Sequence, residues 1–191
     1  IPPVIFDRNR AIIKIRTDGA LAAITYATVA ANDAFALGSK LSGSGILNVN
    51  NYTDQDLTTA NASTTTLNIT TDLSASANLV AANLRAADLV SVIDSGSASI
   101  SANDADALGN KLKGEGTLNV TGYTNQELQD IDTSIVNVSI TAVDAASDST
   151  KLGGNVASIS VENFAILSLS ADSADDLGSK LNGLGQLRIS N

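Results

Sequence analysis

ANDAFALGSKLSGSGILNVNNYTDQDL (Ala31–Leu57) and ANDADALGNKLKGEGTLNVTGYTNQEL (Ala102–Leu128) are two copies of one motif, with 18 of 27 positions identical at a constant offset of 71. A partial third copy, ADDLGSKLNGLGQLRIS (Ala174–Ser190), aligns without a gap on Ala105–Thr121. A shorter beat runs inside each copy. Brief apolar alternations centre on Val29, Val49 and Ile69, then on Ile100, Val120 and Ile140, in steps of 20 residues; Leu169 to Ile189 is 20 again. A fixed period of this size is the signature of units that bury their apolar faces only by stacking. The expected fold is therefore an α/β solenoid of stacked ~20-residue strand–helix units, β-helix-like or leucine-rich-repeat-like, with an N-terminal strand and arm. Residues 1–23 read as the arm and capping strand. Residues 24–191 read as one continuous body, with long repeats over about 30–100 and 101–170 and a partial one over 171–191.

Each unit is expected to hold one strand and one short helix. Leu47/Val49, Leu67/Ile69, Leu118/Val120, Val136/Val138 and Leu187/Ile189 alternate as half-buried strands do. Ala34, Leu37 and Leu41, like Ala105, Leu108 and Leu112, fall at i, i+3 and i+7, which gives a helix one apolar face. Asn32 and Asn103 are the expected N-caps, Lys40, Lys111 and Lys180 lie in the last turn, and Gly43, Gly114 and Gly183 are expected to end the helices. A second helix type is expected after Tyr52 and Tyr123. Thr53/Asp56 and Thr124/Glu127 have capping-box spacing, and Tyr52/Leu57 and Tyr123/Leu128 have that of a hydrophobic staple.

Two long gaps break the beat, one from Ile69 to Ile100 and the other from Ile140 to Leu169. Each equals a unit plus about half of another. Ser74–Val92 is expected to be one longer helix or two short ones, and Val156–Val161 and Ala165–Leu169 two strands. The N-terminus (IPPVIFDRNR, Ile1–Arg10) carries no repeat; Ala11–Asp18 alternates like a strand, and Asp18-Gly19 reads as a hairpin turn.

Composition excludes several function classes. The chain has 191 residues, 43% hydrophobic and 3% aromatic, with no Cys, His, Met or Trp. Without Cys or His there are no disulfides and no thiolate or imidazole ligands, and the commonest general base is missing. A net charge of −9 argues against nucleic acid as a partner. No apolar run approaches the ~18–20 residues that span a bilayer, so the chain is not expected to cross a membrane. Charge is uneven. Arg8, Arg10, Lys14 and Arg16 against Asp7 make the first sixteen residues +3, and the remainder, with 7 basic and 19 acidic residues, is −12. The start at Ile1 and the lack of a signal peptide read as a processed chain or a segment of a longer one.

Gly-x-Gly at Gly43/Gly45, Gly114/Gly116 and Gly183/Gly185 precedes a strand and lacks the third glycine of a dinucleotide fingerprint, so turn geometry is the reading adopted. Acidic clusters occur at Asp54/Asp56, at Asp104 and Asp106, at Asp144/Asp148, and at Asp172, Asp175 and Asp176. Calcium is the ion such carboxylates would hold, with Asp104, Asp106, Asp172, Asp175 and Asp176 as ligand candidates. None matches an EF-hand or nonapeptide array, and in the first copy Phe35 stands where Asp106 does. Solvated helix starts are the reading adopted, with no cofactor. Paired-carboxylate catalysis would need acids across a cleft and aromatic sugar platforms; the chain is not expected to be an enzyme. Asn-x-Ser/Thr sequons at Asn51, Asn61, Asn68, Asn119 and Asn137 are expected by chance in so Asn- and Thr-rich a chain.

ANDADALGNKLKGEGTLNVTGYTNQELQDID, with VSVIDSGSASISANDADAL before it, resembles repeat units of very large bacterial cell-surface and secreted proteins of the adhesin- or haemagglutinin-like kind. The resemblance covers about residues 24–191 and leaves the arm out. It implies an extracellular or cell-surface location and a structural or adhesive role. The expected function is a non-enzymatic structural protein that joins copies of itself head to tail into a fibre or surface layer. The alternative is an adhesin or stalk segment that binds carbohydrate or a cell surface. A polysaccharide lyase ranks third. The expected assembly interface comprises Ile1, Val4, Ile5, Phe6, Arg8, Arg10, Ile12, Ile13 and Ile15 at one end and Leu187 and Ile189 at the other, because the final strand, Gln186–Asn191, lacks the partner helix of its unit.

Overall fold

Along Gly45–Tyr52 the side chains of Leu47, Val49 and Tyr52 are buried, while Ile46, Asn48 and Asn50 face the other way and keep some solvent. The period of two through Leu47 and Val49 marks a strand, with a register shift before Tyr52, and its neighbours are built alike. The computed structural model describes residues 14–15, 26–43, 45–59, 65–84, 87–131, 134–135, 137–147, 149–152 and 156–190.

All described strand pairs are parallel, and they fall into four sheets. Tyr26–Ala30, Gly45–Tyr52, Thr65–Thr71, Ala87–Val92 and Leu112–Gly114 form a five-stranded sheet in that order. Ala77–Leu79, Ser97–Ser101, Thr117–Tyr123, Asn137–Ala142, Val156–Val161 and Leu181–Gly183 form a six-stranded one. Ala145–Ser147, Ile166–Ser170 and Gln186–Ser190 make a third, and Lys14–Ile15 with Ser42–Gly43 a two-stranded fourth. Register aligns like with like. Val29, Val49, Ile69 and Val90 lie side by side, as do Leu79, Ile100, Val120, Ile140 and Ile159. Their inward faces belong to one apolar core of Ala, Val, Leu and Ile with Tyr52 and Tyr123. Leu41, Leu47, Val49, Leu108, Leu112, Leu118 and Val120 are all buried in it, and Leu37 packs against it partly exposed.

The expected α/β solenoid of stacked strand–helix units is overturned. The chain folds as α/β with parallel sheets, and most strands are linked by short turns. Helix is confined to α1 (Ala31–Leu37), α2 (Ala102–Leu108), α3 (Ser149–Leu152) and α4 (Ala171–Leu177) among the described residues. α1, α2 and α4 are copies of one motif, each prolonged by a 3₁₀ turn that ends on Lys40, Lys111 or Lys180. The second helix type does not form. Residues 53–59 and 124–130 are bends and turns, because their side chains find better partners than a helix would offer. The described residues of Ser74–Val92 are likewise not helical. They hold the strands Ala77–Leu79 and Ala87–Val92 with a turn over 81–84 between them, since Ala77, Leu79, Val90 and Val92 bury at a spacing of two. Strands do form at Val156–Val161 and Ile166–Ser170. The Asp18-Gly19 turn and the first thirteen residues lie outside the described residues.

The two long gaps have a structural consequence. Each inserts a short strand, Ala77–Leu79 or Ala145–Ser147, which opens a new sheet. The strand of the next repeat pairs with it: Leu79 lies beside Ile100 and Ala145 beside Leu167. Equivalent segments therefore occupy different sheets, Gly45–Tyr52 in the five-stranded, Thr117–Tyr123 in the six-stranded and Gln186–Ser190 in the three-stranded.

Candidate functional site

Helix starts account for two of the acidic candidates, Asp104 and Asp172, which lie in the first turns of α2 and α4. The N-caps of α2 and α4 are Ser101 and Ser170, not Asn103; at α1 the cap position is Ala30, not Asn32, and no side chain caps it. Ser101 Oγ accepts from Asp104 N at 3.1 Å and donates to Asp104 Oδ2 at 2.7 Å, while Asp104 Oδ1 accepts from Ala81 N at 3.1 Å. Both carboxylate oxygens of Asp104 are thus engaged in tying α2 to the neighbouring turn. In α4, Ser170 Oγ accepts from Ser173 N at 3.1 Å, Ser173 Oγ accepts from Ser149 N at 3.1 Å, and Asp176 Oδ2 accepts from Ser149 Oγ at 3.0 Å. Asp106, Asp172 and Asp175 are exposed on their helices. No group of three or more acidic side chains able to hold a metal ion occurs among the described residues.

Asn32 and Asn103 serve a different purpose, one that capping rules missed. Gln55 Oε1 accepts from Thr53 N at 3.0 Å and Asp54 N at 3.3 Å. Its Nε2 donates to Asn32 Oδ1 at 2.9 Å and Thr53 Oγ1 at 3.0 Å. Gln126 repeats the arrangement: its Oε1 accepts from Thr124 N at 2.9 Å and Asn125 N at 3.1 Å, and its Nε2 donates to Asn103 Oδ1 at 2.8 Å and Thr124 Oγ1 at 3.1 Å. One glutamine per copy satisfies the backbone of the bend and fastens it to the helix of the preceding layer. This removes the demand for a helical turn after each tyrosine. The signal in the sequence was the identical Gln two residues beyond Tyr-Thr. Glu127, expected as a capping-box residue, instead pairs with Lys151 Nζ at 2.9 Å.

Tyr52 and Tyr123 occupy equivalent buried places. The Tyr52 hydroxyl has no hydrogen-bond partner among the described residues. Burial, then the nearby carboxylates of Asp54 and Asp56, push its pKa up to about 12 from 10.0. A pKa raised in the folded state means the neutral form contributes stability that is fully present below pH 10 and lost as pH climbs towards 12. Tyr52→Phe is therefore expected to keep or slightly raise stability at neutral pH, by up to ~1 kcal/mol. It is also expected to flatten the alkaline loss, checked by urea unfolding at pH 8 and pH 11. A drop of more than ~1 kcal/mol at pH 8 would mean the hydroxyl has a partner after all.

The glycines also take other roles than expected. Gly38, Gly109 and Gly178, at φ 46°, 44° and 43°, terminate the helices, and Gly114 and Gly183 instead sit in strands pressed against a neighbouring backbone. At the far end of the fold, Leu187 and Ile189 lie on Gln186–Ser190, the outermost strand of its sheet, and are 46% and 54% exposed. Their equivalents Leu47, Val49, Leu118 and Val120 are buried, each covered by the next strand of its sheet. Leu184 and Phe164, which no sequence pattern singled out, are exposed near the same end. Of the expected N-terminal interface, only Ile15 is described, where Lys14–Ile15 pairs with Ser42–Gly43 of its own chain. Ile1, Val4, Ile5, Phe6, Arg8, Arg10, Ile12 and Ile13 lie outside the described residues. No helix among the described residues is long and apolar enough to cross a membrane. Comparison with protein-family models, with curated proteins and with solved structures yields no match.

Proposed function

We propose that the chain is a non-enzymatic extracellular structural protein that joins copies of itself head to tail into a fibre or surface layer. The observation that carries this reading is the edge of Gln186–Ser190, with Leu187 and Ile189 half-exposed where both earlier copies of the same segment are covered. A parallel strand with apolar side chains at alternate positions is what covers those copies. Tyr26–Ala30 is such a strand, and among the described residues it is outermost in its own sheet, with Ala27 and Val29 turned to the core. Continuing the internal register places Ala27 beside Leu187 and Val29 beside Ile189. The contact joins unlike surfaces, and such a contact propagates into a fibre when the rotation between copies does not close. Location follows from the resemblance of the repeats to cell-surface proteins.

Size decides what else is needed. A strand edge of 5 residues spans only ~17 Å, so the pairing of two such strands alone is too small a contact. A specific interface needs ~1,000 Å². The arm supplies the difference: Ile1, Val4, Ile5 and Phe6 add apolar area along a neighbour, and Arg8 and Arg10 meet its acidic body. Deleting residues 1–10 is expected to leave a folded chain that is monomeric or associates weakly, and high salt is expected to slow assembly of the intact chain. Negative-stain microscopy and sedimentation check both. Filaments from the truncated chain, formed as readily as from the whole one, would sink the role given to the arm. Dispersed monomers of the intact chain at every concentration tried would sink the reading.

A further inference from the structure

Two of the three copies of the helical motif are covered from within the chain. Residues 53–59 lie over α1 and residues 124–130 over α2: Gln55 and Gln126 reach Asn32 and Asn103, and Leu57 and Leu128 are buried. Beneath these bends Ala34 and Ala105 are fully buried. A Cβ on Gly38 would lie 3.0 Å from Thr59 Oγ1, and one on Gly109 3.6 Å from Asp130 Cβ. α4 has no such cover among the described residues. Ala174, the counterpart of Ala34 and Ala105, is partly exposed, as is Leu181, the counterpart of the buried Leu41 and Leu112. A Cβ on Gly178 would meet nothing within 4 Å. The helix also differs in charge, with Asp172, Asp175 and Asp176 where α2 has Asp104 and Asp106 and α1 has Asp33. Asp172 stands where Asn32 and Asn103 accept from a glutamine.

We infer that the open side of α4 receives the N-terminal arm of a second copy, with Phe6 over Ala174 and with Arg8 and Arg10 against the helix carboxylates. The inference rests on the proposed head-to-tail contact and locates the arm within it. Register selects the occupant. Leu181–Gly183 and Gln186–Ser190 are each outermost in their sheets, and so are Lys14–Ile15 and Tyr26–Ala30. Within the chain the latter two pair with Ser42–Gly43 and Gly45–Tyr52, the first-copy counterparts of Asn182–Gly183 and Gln186–Ser190. Lys14 pairs with Ser42 and Val29 with Val49, seven residues on, and Asn182 and Ile189 are also seven apart. A second copy that sets Val29 beside Ile189 therefore sets Lys14 beside Asn182 as well, and extends both edges at once. The residues leading into Asn182 are α4 and its 3₁₀ turn. Those leading into a Lys14 one strand further on lie one layer over α4. Phe6 precedes Lys14 by eight residues, as Ala174 precedes Asn182. An apolar side chain there covers Ala174 as Leu57 and Leu128 cover the earlier helices. Charge agrees with register. A guanidinium facing Asp172 or Asp175 takes the place of the glutamine amide facing Asn32 or Asn103, with both partners ionised.

Disulfide cross-linking tests the contact, since the chain has no cysteine of its own. Phe6→Cys is combined with Ala174→Cys, and Ile5→Cys with Ala174→Cys forms a second pair that keeps the phenyl ring. Phe6→Cys with Thr66→Cys, exposed on the five-stranded sheet, is the control, and circular dichroism verifies that each variant folds. After mild oxidation at least one Ala174→Cys pair is expected to give a ladder of covalent dimers, trimers and larger species on a non-reducing gel, at least fivefold above the control. Adding Arg8→Glu and Arg10→Glu is expected to cut that ladder at least fivefold, and Asp172→Lys with Asp175→Lys to restore it. An arm reversal without effect, or one that the reversed helix does not restore, overturns the charge pairing. A disulfide confined to monomers places the arm on α4 of its own chain and overturns the inference. Negative stain of the intact chain separates the remaining outcomes. Fibres with no ladder from either pair overturn the inference while leaving end-to-end assembly standing; dispersed monomers with no ladder overturn both.

Discussion

Gly114→Ala is expected to lower stability by ~3 kcal/mol or more. Gly114 sits at φ 113°, and a Cβ placed on it would lie 2.1 Å from Val92 O and 2.9 Å from Val92 N. Both objections act together. The backbone conformation disfavours an L side chain, and the obstacle is backbone in the adjacent strand of the five-stranded sheet, which cannot swing aside. Gly122→Ala separates them, since Gly122 has φ 68° with nothing within 4 Å of the added carbon. It is expected to cost only the conformational part, ~1 kcal/mol. Gly183 meets Val161 O at 2.3 Å in the equivalent place and, like Gly114, lies on the outermost strand of its sheet. Gly183→Ala should therefore cost a similar amount. For a chain of this size, ~3 kcal/mol corresponds to a fall in Tm of ~6–12 °C. A Gly114→Ala melting temperature within ~2 °C of the unmodified chain would show that the two strands do not approach so closely.

Leu118→Ala is expected to cost ~2–5 kcal/mol in urea unfolding, and Leu108→Ala a similar amount. Leu118 is fully buried, with Ala98 on one side and Val138 on the other, and the flanking backbone is held by sheet hydrogen bonds that limit collapse into the cavity. Leu108 is 6% exposed and packs in the same core from the end of α2. Leu187, the counterpart of Leu118 in the last copy, is 46% exposed, and Leu187→Ala is expected to cost well under ~1 kcal/mol in the isolated chain. Its effect should appear in assembly instead. Asp106→Ala, on the exposed side of α2, is expected to fall within ~0.5 kcal/mol. Equal costs for Leu118→Ala and Leu187→Ala would contradict the difference in burial between the copies.

The strands were legible because alternation is a local property. Leu47/Val49 and Leu118/Val120 can be assigned inward without knowing what they pack on, and the constant step from Val29 to Val49 to Ile69 already indicates which of them lie side by side. The helix over Ala34, Leu37 and Leu41 could be found in the same way, although its cap was misplaced by two positions. Asn at the helix start looked like the stronger capping residue, yet Asn103 is engaged by Gln126 from 23 residues away. The false helices after Tyr52 and Tyr123 have the same origin. Capping-box spacing is a local signal, and the Gln55 and Gln126 amides overrode it by satisfying the bend and the neighbouring layer at once.

By itself the sequence determined which residues form the strands of the 20-residue beat, though not the strands Ala77–Leu79, Ala87–Val92 and Ala145–Ser147 in the long gaps. It also determined which face of each beat strand is apolar, that the motif beginning at Ala31 recurs at Ala102 and in part at Ala174, and that no Cys or His chemistry is available. These depend on covalent order and on periodicities of one short segment. Tertiary structure alone decided how the strands divide among sheets. The extra half-unit in each long gap supplies a new strand, and the following segment pairs with that strand instead of with its own counterpart one repeat earlier. Pairing is a competition between strand edges that the fold brings close in space. The result is that the three copies of one segment lie in three different sheets, and that Gly45–Tyr52 and Thr117–Tyr123 are flanked on both sides while Gln186–Ser190 is outermost. A segment's own residues carry no record of either.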